Sequence, residues 1–258
     1  KNSCLSLMNF ALYKGKENIV VNGDMSSRPE DKLTVTFKNL DIADFNPILQ
    51  KFGLNLQGKM NDNVVLRSVF KDMTLTSNVT IDDLVINDVK LGKAKFGFNN
   101  MLSKNEFAAD IRMSYNEPNS GQIIPLSIKG RVNLTDKNDN LDLKVDMQEF
   151  DIRIIENYLS SLSSYVRGKI STENLLVKGK FTQPHIEGSL KIRDGAMKID
   201  MLNTTYSFND ELFVNDNVFT MDNFVLQDAQ KNKITINGTI SHDNFTDFDL
   251  NLKAKADK

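Results

Sequence analysis

Leu141-Asp142-Leu143-Lys144-Val145-Asp146 alternates apolar and charged side chains one for one. Successive side chains of an extended strand point to opposite faces, so this stretch has one oily face and one wet face. Leu33-Thr34-Val35-Thr36-Phe37 repeats the pattern, as do Leu190 with Ile192, Met197 with Ile199 and Met201, Ile234 with Ile236, and Leu250 with Leu252. Val79 with Ile81, Ile111 with Met113, Phe224 with Leu226, and Ile240 complete the apolar positions. Between the runs lie Asn61-Asp62-Asn63, Asp82-Asp83, Asp136-Lys137-Asn138-Asp139-Asn140 and Asn215-Asp216-Asn217, all turn-forming residue types. The pattern predicts a mainly β chain of roughly twenty antiparallel strands joined by short turns.

Composition agrees. There are 30 Asn and 25 Asp against 5 Pro and no Trp in 258 residues. Charge balances at 32 basic against 34 acidic side chains, which removes the electrostatic argument for a nucleic-acid surface. Hydrophobic residues at 40% exclude wholesale disorder. No apolar run approaches the ~18 residues of a membrane-spanning helix. The chain opens Lys1-Asn2-Ser3, without an initiator Met or a leader, and reads as an excised piece.

Catalytic chemistry is poorly supplied. Cys4 is the only cysteine, so neither an internal disulfide nor a thiolate metal cluster is available. His185 and His242 lack a second ligand at metal spacing and a recognisable acid or nucleophile, and both are expected as exposed turn residues. Asp136 to Asn140 lacks the glycine and terminal glutamate of a calcium loop and is expected to be a solvated turn. The expectation is no enzyme, no metal and no cofactor.

Two segments change period. Ile42, Phe45, Leu49 and Phe52 are spaced three, four and three, and Ile152, Ile155, Leu159 and Leu162 follow the same spacing. Each fits one stripe of a short amphipathic helix, with Pro47 tolerable in a first turn. The two helices expose an internal repeat. Asn39-Leu40-Asp41-Ile42 matches Glu149-Phe150-Asp151-Ile152, and Gly58-Lys59-Met60 matches Gly168-Lys169-Ile170, each 110 residues on. Phe96 to Asn99 meets Tyr206 to Asn209 at the same offset. Upstream, Ile19 to Met25, Leu126 to Val132 and Ile234 to Ile240 are three versions of one phrase centred on Gly23, Gly130 and Gly238. The implied organisation is the end of a preceding unit over 1–32, one unit over 33–140 and a second over 141–258. The second runs into a further copy at about residue 234. Such arrays stack neighbour on neighbour.

Single glycines at 23, 58, 130, 168, 179, 188 and 238 interrupt strands, which suggests bulges or bends in a curved sheet. A one-faced sheet must cover its oily side. It either folds against a second sheet as a sandwich or curls into a trough whose lining stays open to an apolar guest. For the trough, the lining is the apolar set above: Leu33, Val35 and Phe37, Val79 and Ile81, Ile111 and Met113, Leu141, Leu143 and Val145, and the positions from Leu190 to Leu252. Adaptable Met side chains suit such a lining.

The stretch from Leu141 to Lys258 resembles one repeat of the TamB family of AsmA-like periplasmic proteins. The resemblance rests on an ordered series: Phe150-Asp151-Ile152, Gly168-Lys169-Ile170, Val177 to Leu190 with its Gln183-Pro184-His185-Ile186-Glu187-Gly188 core, Asp194 to Ile199, Leu202 to Tyr206, Leu226-Gln227-Asp228, Ile236 to His242 and Leu250 to Ala254. The preceding unit matches less well, with Met73 to Ser77 where the Pro-x-Ile-x-Gly phrase belongs. The resemblance implies an elongated, curled antiparallel sheet, a trough or taco with an apolar concave face, in keeping with the tandem units of about 110 residues and the two short amphipathic helices read from the residues. It implies a periplasmic protein anchored in the inner membrane by a helix outside this chain. That protein would conduct phospholipid acyl chains between the membranes and partner a TamA-like outer-membrane β-barrel assembly protein. A structural or chaperone module that pairs strands with such a barrel is the second expectation, and a closed sandwich in an adhesion stalk the third.

Overall fold

The computed structural model describes residues 3–50, 54–100, 106–117, 121–160, 162–243 and 246–256. The strands are β1 (Leu5–Lys14), β2 (Glu17–Met25), β3 (Lys32–Asp41), β4 (Leu56–Arg67), β5 (Thr74–Ile86), β6 (Val89–Asn100), β7 (Glu106–Glu117) and β8 (Gly121–Asn133). They continue as β9 (Leu141–Asp151), β10 (Val166–Lys180), β11 (Gln183–Ile199), β12 (Thr204–Asn215), β13 (Val218–Gln227), β14 (Lys233–Asp243) and β15 (Thr246–Ala256). All lie in one antiparallel sheet whose strand order is the sequence order, β1 to β15. The chain is therefore mainly β, as the alternation predicts. A sandwich would need a second facing sheet, and among the described residues there is one sheet only.

Fifteen strands among the described residues stand where the alternation suggested about twenty. The excess arises because a bulge breaks apolar parity just as a turn does. Leu190 with Ile192 and Met197 with Ile199 are parts of one strand, β11, and the parity changes at a β-bulge between Ile192 and Gly195. Asn61-Asp62-Asn63 lies inside β4 and Asp82-Asp83 inside β5, again with register shifts nearby. Asn215-Asp216-Asn217 and the Asp136–Asn140 segment do connect strands.

Five left-handed strand residues share one chemistry. Asn9, Asn39, Glu149, Asp194 and Asn223 all have φ between 49° and 55°. In each case a side chain on the following strand accepts from that residue's N–H: Asn22 Oδ1 at 3.4 Å, Asn61 Oδ1 at 2.8 Å, Ser171 Oγ at 3.2 Å, Asn209 Oδ1 at 2.7 Å and Asn237 Oδ1 at 2.8 Å. A bulge leaves one residue unpaired in the ladder, and a short polar side chain on the next strand, Asn in four cases and Ser171 in one, satisfies its orphan donor. Asn tolerates the left-handed conformation and also supplies the acceptor, so part of the Asn richness has a structural cause.

The glycine phrase recurs every six strands. A Cβ built on Gly130 of β8 meets the Asp142 carbonyl oxygen at 2.1 Å and the Leu143 Cα at 2.9 Å. One on Gly238 of β14 meets the Asn251 carbonyl oxygen at 2.1 Å and the Leu252 Cα at 3.1 Å. With φ of 149° and 137°, both positions are closed to other residue types by backbone strain and by the approach of the next strand.

Both expected helices are present, but in tighter geometry. Ile42–Phe45 is a 3-10 turn continued by an α-helical turn over Asn46–Leu49, with Pro47 at its start. Ile152–Leu159 is 3-10 throughout. Phe52, expected on the first stripe, lies outside the described residues.

The chain divides into two compact units. The first comprises 1–86, 90–143 and 179–181, and the second 87–89, 144–178 and 182–258. In the second unit Ile152, Val166, Ile170, Ile192, Phe208, Phe224 and Ile236 form one buried cluster drawn from five neighbouring strands and the 3-10 helix. A single flat layer leaves one side of such residues in water. Their burial therefore rests on the cover of the Ile152 helix and on bending of this unit's sheet around it.

Candidate functional site

Residues paired across strands share a face, so register carries the apolar positions of one strand to the next. In the second unit Leu190 pairs with Leu212, Leu212 with Met221, Met221 with Gly238 and Gly238 with Leu252. Beside that row, Phe219 pairs with Ile240 and Ile240 with Leu250. Beyond the bulges Met197 meets Tyr206, Phe224 meets Ile236 and Leu226 meets Ile234. Register and alternation thus gather Leu190, Ile192, Met197, Ile199, Phe224, Leu226, Ile234, Ile236, Ile240, Leu250 and Leu252 on one face. Ile192, Phe224 and Ile236 are buried there, whereas Leu250 is 50% exposed.

Met201 departs from the expectation. β11 ends at Ile199, and Met201 sits in the 3-10 turn Asp200–Leu202, where it is 89% exposed and off the strand. Asn203, left-handed at φ 47°, closes that turn and returns the chain into β12.

In the first unit Val35 pairs with Val21 and Val64, and Phe37 pairs with Ile19. Leu33 pairs with Gly23 and Leu66, and Met60 pairs with Ile81, two residues along from Val79. Ile111 and Met113 form another row with Phe96, Ala94, Ile128 and Leu126. Leu143, with Leu141 two residues before it, lies against Gly130 on the same side. Leu33, Val79, Ile81 and Met113 are buried, and so is Val145 in the second unit.

Several members of the apolar face escaped the sequence reading. Phe10 and Leu12 of β1 pair with Val21 and Ile19 and are exposed. Their alternation with Leu5 and Leu7 is hidden by the bulge between Leu7 and Phe10. Phe208, tilted against Phe224 with ring centroids 5.5 Å apart, lay in the Tyr206 to Asn209 repeat phrase, and its apolar spacing was available there.

The helical connections of the two units begin with matched caps. Asp41 and Asp151 each accept from a backbone N–H two residues on, of Ala43 and Arg153, both at 3.0 Å. Lys59 lies 2.7 Å from Asp41, and Lys169 lies 3.6 Å from Asp151. The Lys59 ammonium and the Ala43 N–H hold the Asp41 carboxyl below its ordinary range. Burial pushes the Asp151 carboxyl up, but the Arg153 side chain and N–H, with Lys169, outweigh it and leave it lowered. In the second unit Ile155 and Leu159 then pack on the buried cluster.

The two histidines separate. His185 is exposed on β11, its Nδ1 against the Asp216 carboxylate and its Nε2 3.9 Å from Glu187, also exposed. His242 is buried in β14, not an exposed turn residue, with its ring 5.2 Å from Phe219 and 6.0 Å from Phe248. β14 runs on to Asp243, and the aromatic neighbours exclude water from the ring. In the 133–140 segment the Asp136 carboxylate accepts from the N–H groups of Asn138 and Asp139, which lowers its pKa. Cys4 is exposed. No group of three or more His, Cys, Asp or Glu suited to a metal occurs among the described residues, and none of their helices is long and apolar enough to cross a membrane. Compared with known proteins, the chain matches no family model, no curated protein and no solved structure.

Proposed function

We propose that this chain is a section of a periplasmic, TamB-like lipid conduit, with phospholipid acyl chains running along the apolar face. The observation carrying the reading is the row Leu190, Leu212, Met221, Gly238 and Leu252, paired strand to strand from β11 to β15, which runs beside buried Ile192, Phe224 and Ile236 and ends next to half-exposed Leu250. A face that continues past its own covered core offers area to an apolar guest. Each buried methylene contributes ~0.8 kcal/mol without polar recognition, so such a face holds tails while headgroups stay in water. Tandem units and recurrent side-chain-clamped bulges fit a surface extended by repetition.

The test is solvent extraction of the purified protein followed by mass spectrometry for phospholipid. Leu250→Asp with Leu252→Asp is the control variant, since both side chains are exposed and their replacement spares the cluster. Met197 packs against that cluster, and an aspartate there endangers the fold. Phospholipid with the wild type and at least a severalfold loss in a folded variant is the expected result. Absence of lipid from both, even after incubation with liposomes, transfers the function to strand pairing at β1 or β15, each of which has a single neighbouring strand among the described residues.

A further inference from the structure

On the wet side of the second unit, a cleft of about 450 Å³ lies between the start of the Ile152 helix and strands β10 to β12. Arg167 and Lys169 alternate on β10 with buried Val166 and Ile170, so the cleft faces away from the apolar cluster. Gly168 and Gly195 contribute to its lining as bare backbone. Its charged groups are Arg153, Arg167 and Lys169 against Asp151 and Asp194, one positive charge in excess.

The positive groups differ in commitment. Arg153 is forked onto Asp151, with Nε 3.0 Å from Oδ1 and an Nη 2.8 Å from Oδ2. Lys169 shares the same carboxylate more loosely, at 3.6 Å. Arg167 stacks over the Tyr165 ring at 5.8 Å and has no carboxylate partner among the described residues. Asp151 thus positions two cations at the cleft, and the stacked arginine keeps its N–H donors for something else.

The first unit is an internal control. Asp41, Gly58 and Lys59 repeat Asp151, Gly168 and Lys169 in sequence and in contact. Gly58 is approached by the Leu84 Cα as Gly168 is by the Gly195 Cα. Where the second unit has Arg153 and Arg167, however, the first has Ala43 and Gln57. One scaffold carries two added arginines in one copy alone, which the shared fold does not require.

We infer that this cleft binds a phosphate ester through Arg153, Arg167 and Lys169. A planar carboxylate uses one arginine fork, and Asp151 already fills that role. A tetrahedral oxyanion presents acceptors in several directions, matching donors that come from three side chains on two elements. The volume accommodates the ester substituent as well as the phosphate. This site lies on the opposite face from the proposed acyl-chain surface and does not depend on it.

The experiment titrates the protein with glycerol 3-phosphate and follows backbone amide shifts of Gly168 and Gly195. Flotation on phosphatidylcholine vesicles with and without phosphatidylglycerol runs in parallel. The variant is Arg153→Ala with Arg167→Gln, the residues the first unit carries in the same scaffold. Saturable shifts at those glycines, weakened about tenfold or more in the variant, are expected. Retention that needs phosphatidylglycerol and is lost in the variant assigns a membrane-borne ester, while saturation by the free ester without it assigns a soluble one. Binding unchanged in the folded variant, no binding of either ester, or binding of an acidic peptide in place of glycerol 3-phosphate overturns the assignment.

Discussion

The two helical connections begin alike and end differently. Both open with an aspartate cap, both bury the next isoleucine, Ile42 or Ile152, and both tie the cap to a lysine on the following strand. After that the Ile152 helix lays Ile155 and Leu159 on its unit's cluster. The Ile42 connection leaves Phe45 42% and Ile48 64% exposed. Its Asn46 side chain instead binds back to the chain, donating to the Leu56 carbonyl at 2.9 Å and accepting from the Leu56 N–H at 2.8 Å. The cap and first isoleucine set where a connection enters, and the residues of its second turn set how much of the sheet it covers.

Truncating the shared anchor probes the common half of that comparison with the largest effect. Ile42→Ala and Ile152→Ala are each expected to cost roughly 2–5 kcal/mol in urea unfolding, since both delete a buried side chain. A loss confined to one of them breaks the equivalence. The divergent half is tested by Ile155→Ala against Phe45→Ala, equivalent positions 110 residues apart. The first removes a partly buried contact and is expected to cost about 1–2 kcal/mol, the second clearly less. Equal losses would mean that the Ile42 connection is as well seated as its counterpart.

The smallest effect is in the caps. Asp41 and Asp151 have folded pKa values below the ordinary carboxyl value of about 3.9. Their ionic contribution is therefore present above that value and is lost as pH falls through it towards the folded values. Asp41→Asn and Asp151→Asn keep a capping oxygen and remove only the charge. Each variant is expected to show a shallower fall in urea midpoint between pH 7 and pH 3 than the wild type. An unchanged slope would show that the contacts to Lys59 at Asp41, and to Arg153 and Lys169 at Asp151, are fully screened.

The fold class was legible because alternation with period two is a direct image of strand geometry, as in Leu141 to Asp146. Strand number was less legible, since a bulge and a turn both interrupt parity and both favour Asn and Asp. Asp194 in β11 and Asp216 after β12 look alike in sequence, yet only the second ends a strand. His242 was misjudged for a related reason: Ser241-His242-Asp243-Asn244 is turn-like locally, while its burial comes from Phe219 and Phe248 on other strands. The cleft was illegible altogether. Arg153 and Arg167 are ordinary surface residues in one dimension and become neighbours only when β10 returns beside the Ile152 helix.

Strict sequence order in the sheet also constrains how such a chain can change length over generations. Each strand runs opposite to the one before, so gaining or losing a single strand would reverse all that follow and turn their oily side outward. The caps on β3 and β9 stand six strands apart, and so do the glycines of β2, β8 and β14. Six is even, so a duplicated block of that size rejoins its neighbours with direction and face intact. Deletions or insertions of hairpins are expected to be inherited; those of lone strands are not.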